Sequence, residues 1–291
     1  MSFPPVIAGC MNWGQWGARF STSEYRGMIE SCLEAGVDVF DHADIYGHYT
    51  TEAEFGLALR EAPALRERMR LITKCGIRLV TQNRPDHRIK SYDTSRRHIV
   101  ASAEQSLRNL HTDRIDLLLI HRPDPLMDPY EVAEAFRQLS ESGKVLHFGV
   151  SNFNTHQVDL LRSQHPVAVN QVEVSIVHTE SLYNGVLDQA QRERIRIQAW
   201  SPLGSGRLNG ETSDERNRRV VAMADILAQK HGCKPEQIIL AWLHRHPAGI
   251  VPVIGTTKIE RVRDAVRSKG IELSPEEWFM LLRASVGHEV A

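Results

Sequence analysis

The sequence predicts an α/β fold, a (β/α)8 TIM barrel formed as one domain by residues 1–291, and three observations lead to it. Eight short apolar runs recur along the chain, each compatible with a buried parallel strand. Segments with helical spacing separate them. Several runs end in a polar, chemically capable residue, which is where a barrel of this kind carries its site.

The runs lie at residues 6–9, 37–41, 71–74, 116–121, 147–151, 167–171, 196–200 and 251–255. The first helix opens at Ser21, where Ser21-Thr22-Ser23-Glu24 reads as a capping box. Tyr25, Met28, Ile29, Cys32 and Leu33 then form one apolar stripe, and Gly36 stands where a left-handed cap is expected. Ile99, Ala103, Leu107 and Leu110 repeat the helical spacing. Asp128 caps the next helix with Pro129 in its first position, and Gly143 stops it. Further helices are expected from near Asn154, near Ser181 and from Ile259, and Ser274-Pro275-Glu276-Glu277 opens an extra C-terminal one. Long connections follow the third run, at 77–93, and the seventh, at 203–214. Connections after strands build binding sites.

The formal charge of -1 and 24% charged residues are those of an ordinary soluble protein. They argue against nucleic acid as the main partner, which usually needs a net basic face. No apolar run approaches the roughly 20 residues needed to span a bilayer, and the N-terminus lacks a leader pattern. Cys10, Cys32, Cys75 and Cys233 form no paired motif, so the expectation is a reduced, cytoplasmic protein. Neither a composition break nor a repeat suggests a second domain.

In a barrel the strand ends carry Asp41, Lys74, His121, Ser151, Gln171 and Trp200 to one rim. The turn Phe40-Asp41-His42-Ala43-Asp44-Ile45-Tyr46-Gly47 adds a phenol to this gathering. Asp41, Tyr46, Lys74 and His121 at one mouth make a proton-donating site. If Lys74 stands as an ammonium about 4 Å from the phenol, it favours phenolate by about 4 kcal/mol at an effective dielectric near 20, and the expectation is then a lowered Tyr46 pKa.

With these residues in hand, the chain resembles the aldo-keto reductases, and within them a bacterial branch of oxidoreductases. The resemblance runs over nearly the whole length. It rests on residues 40–47, Ile72-Thr73-Lys74, Leu119-Ile120-His121-Arg122-Pro123, Gly149-Val150-Ser151-Asn152-Phe153, Asn170-Gln171-Val172-Glu173 and Trp200-Ser201-Pro202-Leu203. It implies NADPH-dependent reduction of small aldehydes and ketones, with NADP+ as the oxidised product. Asp41, Tyr46, Lys74 and His121 are the implied catalytic tetrad, with Tyr46 as general acid.

The resemblance also implies the cofactor contacts. Ser151, Asn152 and Gln171 would hold the nicotinamide carboxamide, and Trp200 would stack on its ring. Ser201, Leu203, Gly204, Ser205, Gly206 and Arg207 would follow the pyrophosphate. Ile254, Gly255, Thr256, Thr257, Lys258 and Arg261 would surround the adenosine 2′-phosphate, where two cations favour NADPH over NADH. Trp13 and Trp16 are candidate substrate contacts, although an N-terminal plug would look the same. His42, Trp200 and Ala265 depart from residues frequent in the family. Two other classes remain open. One is an NADPH sensor on the same fold. The other is a metal hydrolase using Asp41, His42, Asp44, His48 and His121, against which strand alternation counts, since neighbours point oppositely.

Overall fold

Alternation along eight strands decides what faces the lumen and what faces the helices. The structure, a computed structural model, describes residues 3–208 and 213–290. The strands are Ile7–Gly9, Val39–Asp41, Arg70–Cys75, Leu117–Ile120, Phe148–Ser151, Val169–Glu173, Arg196–Trp200 and Val251–Ile254. All pair in parallel and in chain order, and the first closes on the eighth through Ile7 opposite Val253. This is the (β/α)8 barrel that the sequence predicts.

Ile7, Val39, Ile72, Leu117, Leu119, Val169, Val251 and Val253 form one apolar cluster inside the lumen. Their neighbours in sequence, such as Phe40, Leu71, Leu118 and Val150, belong to the larger core between strands and helices. Two residues beyond the apolar lumen positions, on the same face, come Asp41 after Val39, Lys74 after Ile72, His121 after Leu119 and Gln171 after Val169. The lumen therefore changes from apolar to polar along its axis.

The helices follow their sequence signals. Thr22–Glu34 begins with the reciprocal bonds of the Ser21–Glu24 capping box, and Gly36 leaves it at φ 81°. Pro129–Glu141 is capped by Asp128 and followed by Gly143 at φ 70°. Pro275–Val286 carries the predicted Ser274–Glu277 box.

Three local expectations change. The segment near Ser181 is a single 3-10 turn, Glu180–Leu182, and the helix starts only at Val186 after the left-handed Gly185. The 77–93 connection is partly ordered by a two-stranded antiparallel ribbon, Ile77–Arg78 with Ser91–Tyr92. Of the 203–214 connection, residues 209–212 lie outside the described residues; Gly204–Gly206 forms a 3-10 turn and Asp214 caps the helix Glu215–His231. All four cysteines are free thiols. Among the described residues no helix is long and apolar enough to cross a membrane.

Candidate active site

The third strand delivers Lys74 into the lumen, where it is essentially inaccessible. An ammonium carries three protons and no acceptor. Here each proton has a destination: Asp41 Oδ2 at 2.7 Å, the His42 carbonyl at 2.8 Å and Tyr46 Oη at 3.1 Å. Burial by itself would lower the Lys74 pKa, but Asp41 and then Tyr46 outweigh it and hold the pKa above its ordinary value.

Tyr46 lies in the turn after the second strand. The three residues after it, Gly47, His48 and Tyr49, all have positive φ, an uncommon run for side-chain-bearing residues. The turn carries the phenol back over the strand ends toward His121, with ring centroids 6.1 Å apart. Burial raises the Tyr46 pKa, and the opposing pull of Lys74 is the smaller effect. This overturns the direction expected from sequence, since that expectation weighed the charge without the loss of solvent. Burial, followed by the positive charges of Lys74 and Arg122, pushes His121 well below the usual imidazole range. The ring is neutral near pH 7, and its buried Nδ1 has no hydrogen-bond partner.

Ser151, Gln171 and Gln198 are register neighbours on three adjacent strands. Ser151 Oγ donates to the Gln171 carbonyl at 2.9 Å and accepts from Asn152 Nδ2 at 2.8 Å. Trp200 Nε1 donates to Asn152 Oδ1 at 2.9 Å. Gln171 Nε2 reaches Asp41 Oδ1 at 2.9 Å across the lumen, tying this wall to the Lys74 cluster. The four predicted contacts around Asn152 therefore form one connected group.

Past Trp200 the chain turns sharply, with Ser201, Gly204, Ser205 and Gly206 all at positive φ. Ser205 Oγ donates to Ser201 Oγ at 2.8 Å, and Leu203 packs on the core. Arg207 folds back, Nε to the Gly204 carbonyl at 2.8 Å and Nη2 toward Glu173 at 3.4 Å. On the other side of the barrel closure, Ile254 ends the last strand and Gly255, Thr256 and Thr257 lead to Lys258. Lys258 is the cap position of the helix Ile259–Arg267, and its backbone N–H donates to Thr256 Oγ1. Lys258 and Arg261 are exposed, and neither has a carboxylate within ion-pair distance among the described residues. Ala265 is buried on the core side of the same helix.

Trp13 is fully buried and does not line the mouth. Its ring packs among Phe20, Tyr25, Phe40 and Phe55, and its Nε1 donates to the Thr256 carbonyl at 3.1 Å. The plug explanation holds for this residue. Trp16 is different: it is half-buried, 6.0 Å from the Tyr46 ring and 5.3 Å from His48. His42 points away from Asp41, with its ring centroid 4.5 Å from Phe55, and burial followed by Lys74 lowers it to about 3. Among the described residues no three His, Cys, Asp or Glu side chains converge as a metal site.

Three residues at the site carry no role from sequence. Arg122 lies over the Trp200 ring at 5.7 Å and donates to the His121 carbonyl at 3.2 Å. Asn12 Nδ2 holds the Gly255 carbonyl at 3.2 Å. Gln198 is wholly buried beside Gln171. A polar residue two before Trp200, on the same strand face, was the available signal for the last.

With this geometry in place, comparison with known proteins is specific. The model of the aldo/keto reductase family matches residues 5–284. The chain is 48% identical over 290 residues to the Escherichia coli oxidoreductase YdhF, covering 99% of this chain and 95% of that protein. It is 41% identical to a 6-dehydroglucose reductase of Agrobacterium fabrum, covering 96% of this chain and 95% of that protein. An aldo/keto reductase from Klebsiella pneumoniae, solved with NADP and acetate, superposes with a TM-score of 0.78 at 26% identity. That superposition covers 97% of this chain and 91% of the other.

Proposed function

Because the chain belongs to the aldo/keto reductase family, we propose that this oxidoreductase reduces aldehydes and ketones to alcohols with NADPH, using Tyr46 as the general acid. The observation that carries the reading is the direction of the hydrogen bonds at Lys74. Lys74 can only donate, so Tyr46 Oη accepts from it and keeps its own proton free for a partner outside the cluster. A raised pKa keeps that proton on the phenol at neutral pH. As the proton leaves, the Lys74 ammonium stabilises the phenolate that forms. Asp41 keeps Lys74 aimed and charged. Neutral His121 orients the carbonyl and, with Tyr46, stabilises the developing alkoxide.

NADPH, when bound, supplies the hydride that reduces the carbonyl carbon. The residues present fit such a cofactor. Gln171 Oε1 accepts no hydrogen bond from the described residues, which leaves it for a carboxamide N–H beside Ser151 and Asn152. Trp200 would stack on the nicotinamide ring, and the Ser201–Arg207 loop would hold the pyrophosphate. The start of helix Ile259–Arg267 supplies free backbone N–H groups, with Lys258 and Arg261 as counter-charges for a 2′-phosphate. Trp16, beside Tyr46, serves as a wall for the substrate. The activity in the name of the Agrobacterium relative makes 6-dehydroglucose the first sugar-derived carbonyl to assay.

The test follows NADPH absorbance with 4-nitrobenzaldehyde as an activated probe and 6-dehydroglucose as the second substrate. The parent protein turns over, and Tyr46→Phe loses about two or more orders of magnitude in kcat while NADPH binding is retained. Undiminished turnover in Tyr46→Phe removes the proton-donor role. Tight NADPH binding without turnover on a broad carbonyl panel favours a sensor instead.

A further inference from the structure

The Gln171 side chain has a fixed orientation, and the reason lies in its neighbours. Its Nε2 has two protons. One goes to Asp41 Oδ1 at 2.9 Å and the other to Gln198 Oε1 at 2.9 Å. Turning the amide over would set its carbonyl oxygen against the Asp41 carboxylate and against the Gln198 carbonyl, two repulsive contacts in a dry lumen. Gln198 is oriented in turn. If it were reversed, its own NH2 would face that of Gln171. In the observed orientation Gln198 Nε2 is left buried with no hydrogen-bond partner. An unpartnered buried donor costs stability. Gln198 is 0% exposed, so solvent does not explain its polarity, and its lumen neighbours on the flanking strands include Val251 and Val253.

We propose that Gln198 is a positioning residue, which locks the Gln171 amide so that its Oε1 faces the cofactor mouth. It touches neither the carbonyl substrate nor the nicotinamide. It acts through Gln171, and through Gln171 it also holds the Asp41 carboxylate on the side away from Lys74. Chains of hydrogen bonds of this kind strengthen one another, so the carboxylate, the first amide and the second amide behave as one unit. This inference rests on the assignment of Gln171 to the nicotinamide carboxamide.

The test is a titration with two probes. NADPH contains the nicotinamide, whereas adenosine 2′,5′-bisphosphate contains only the phosphate-bearing end. Gln198→Met keeps length and removes both hydrogen-bonding groups. The expected result is a rise of about tenfold in the Kd for NADPH, the scale of one hydrogen bond lost, with the Kd for the bisphosphate unchanged. In a Gln171→Leu background the same substitution adds less than about twofold, because the group it positions is gone. Equal weakening of both probes overturns the inference, since it marks a general disturbance of the barrel. So does an unchanged NADPH affinity, or a tenfold loss that persists without Gln171. If the parent binds neither probe, the functional reading falls and this inference with it; the parent titration distinguishes that case from the others.

Discussion

The two ends of the lumen are built on the same strands and obey opposite rules. At the lower end Val39, Ile72, Leu119 and Val169 fill the barrel with branched apolar side chains that need only each other. Two residues further on, Asp41, Lys74, His121 and Gln171 occupy the same face in polar form, just as deeply buried. The lower layer gains from burial, on the order of 1.5–3 kcal/mol for each aliphatic side chain. The upper layer loses solvation on every group; Asp41, Lys74 and Gln171 recover it through bonds that each makes with the next, and His121 stays neutral instead. The lower layer tolerates approximate partners, and the upper one does not.

Lys74 and Ile72 test this most directly, because they share a strand and a face. Lys74→Met is expected to lower turnover by at least about a hundredfold and stability by roughly 3–5 kcal/mol, since Asp41 is left charged and buried without its counter-ion. Ile72→Ala is expected to cost roughly 2–5 kcal/mol in denaturant unfolding and to leave kcat per folded molecule nearly unchanged. A fall in kcat for Ile72→Ala as deep as that for Lys74→Met would erase the distinction between the layers.

A smaller effect separates the buried upper layer from the exposed rim. Arg261→Met should weaken NADPH by about tenfold, leave NADH alone, and leave the unfolding midpoint within error. The NADPH loss should also shrink at high salt, as expected of an exposed cation. Equal losses for NADH and NADPH would assign Arg261 some role other than 2′-phosphate recognition.

The smallest expected change is none at all. His121 is held well below the imidazole range, so it is already neutral at pH 6, and Tyr46 is held above its ordinary value, so it is still protonated at pH 9. The profile of kcat/KM should therefore be flat between about pH 6 and pH 9. An inflection near 6.5, the unperturbed imidazole value, would mean that His121 is solvated during turnover.

The polar layer was legible in the sequence because parallel strands announce themselves as apolar runs, and the residue that ends each run stands out. Asp41, Lys74, His121 and Gln171 were found in that way. Gln198 carried the same signal, an inward polar residue in an apolar run, but it sits before the strand end and was passed over. Trp13 stayed between two readings because a tryptophan near the N-terminus looks the same whether it lines a pocket or fills one. Only the three-dimensional cage of Phe40, Phe55 and Tyr25 decides it. The direction of the Tyr46 pKa was out of reach for a related reason. Sequence supplies the nearby charge, while the amount of solvent lost depends on everything packed around it.

The two-residue step from Val39 to Asp41 also constrains how such a chain can diverge. One residue inserted or deleted within that strand would turn Phe40 into the lumen and Asp41 out among the helices, leaving Lys74 beside Tyr46 without its buried counter-ion. Length changes are thus barred from the strands and from the turn that carries Tyr46, and are borne more easily by a connection such as 77–93, which carries none of Asp41, Tyr46, Lys74 and His121. A lineage can trade substrates by lengthening loops while inheriting the proton chemistry intact, because the two are written in parts of the chain that accept different kinds of mutation.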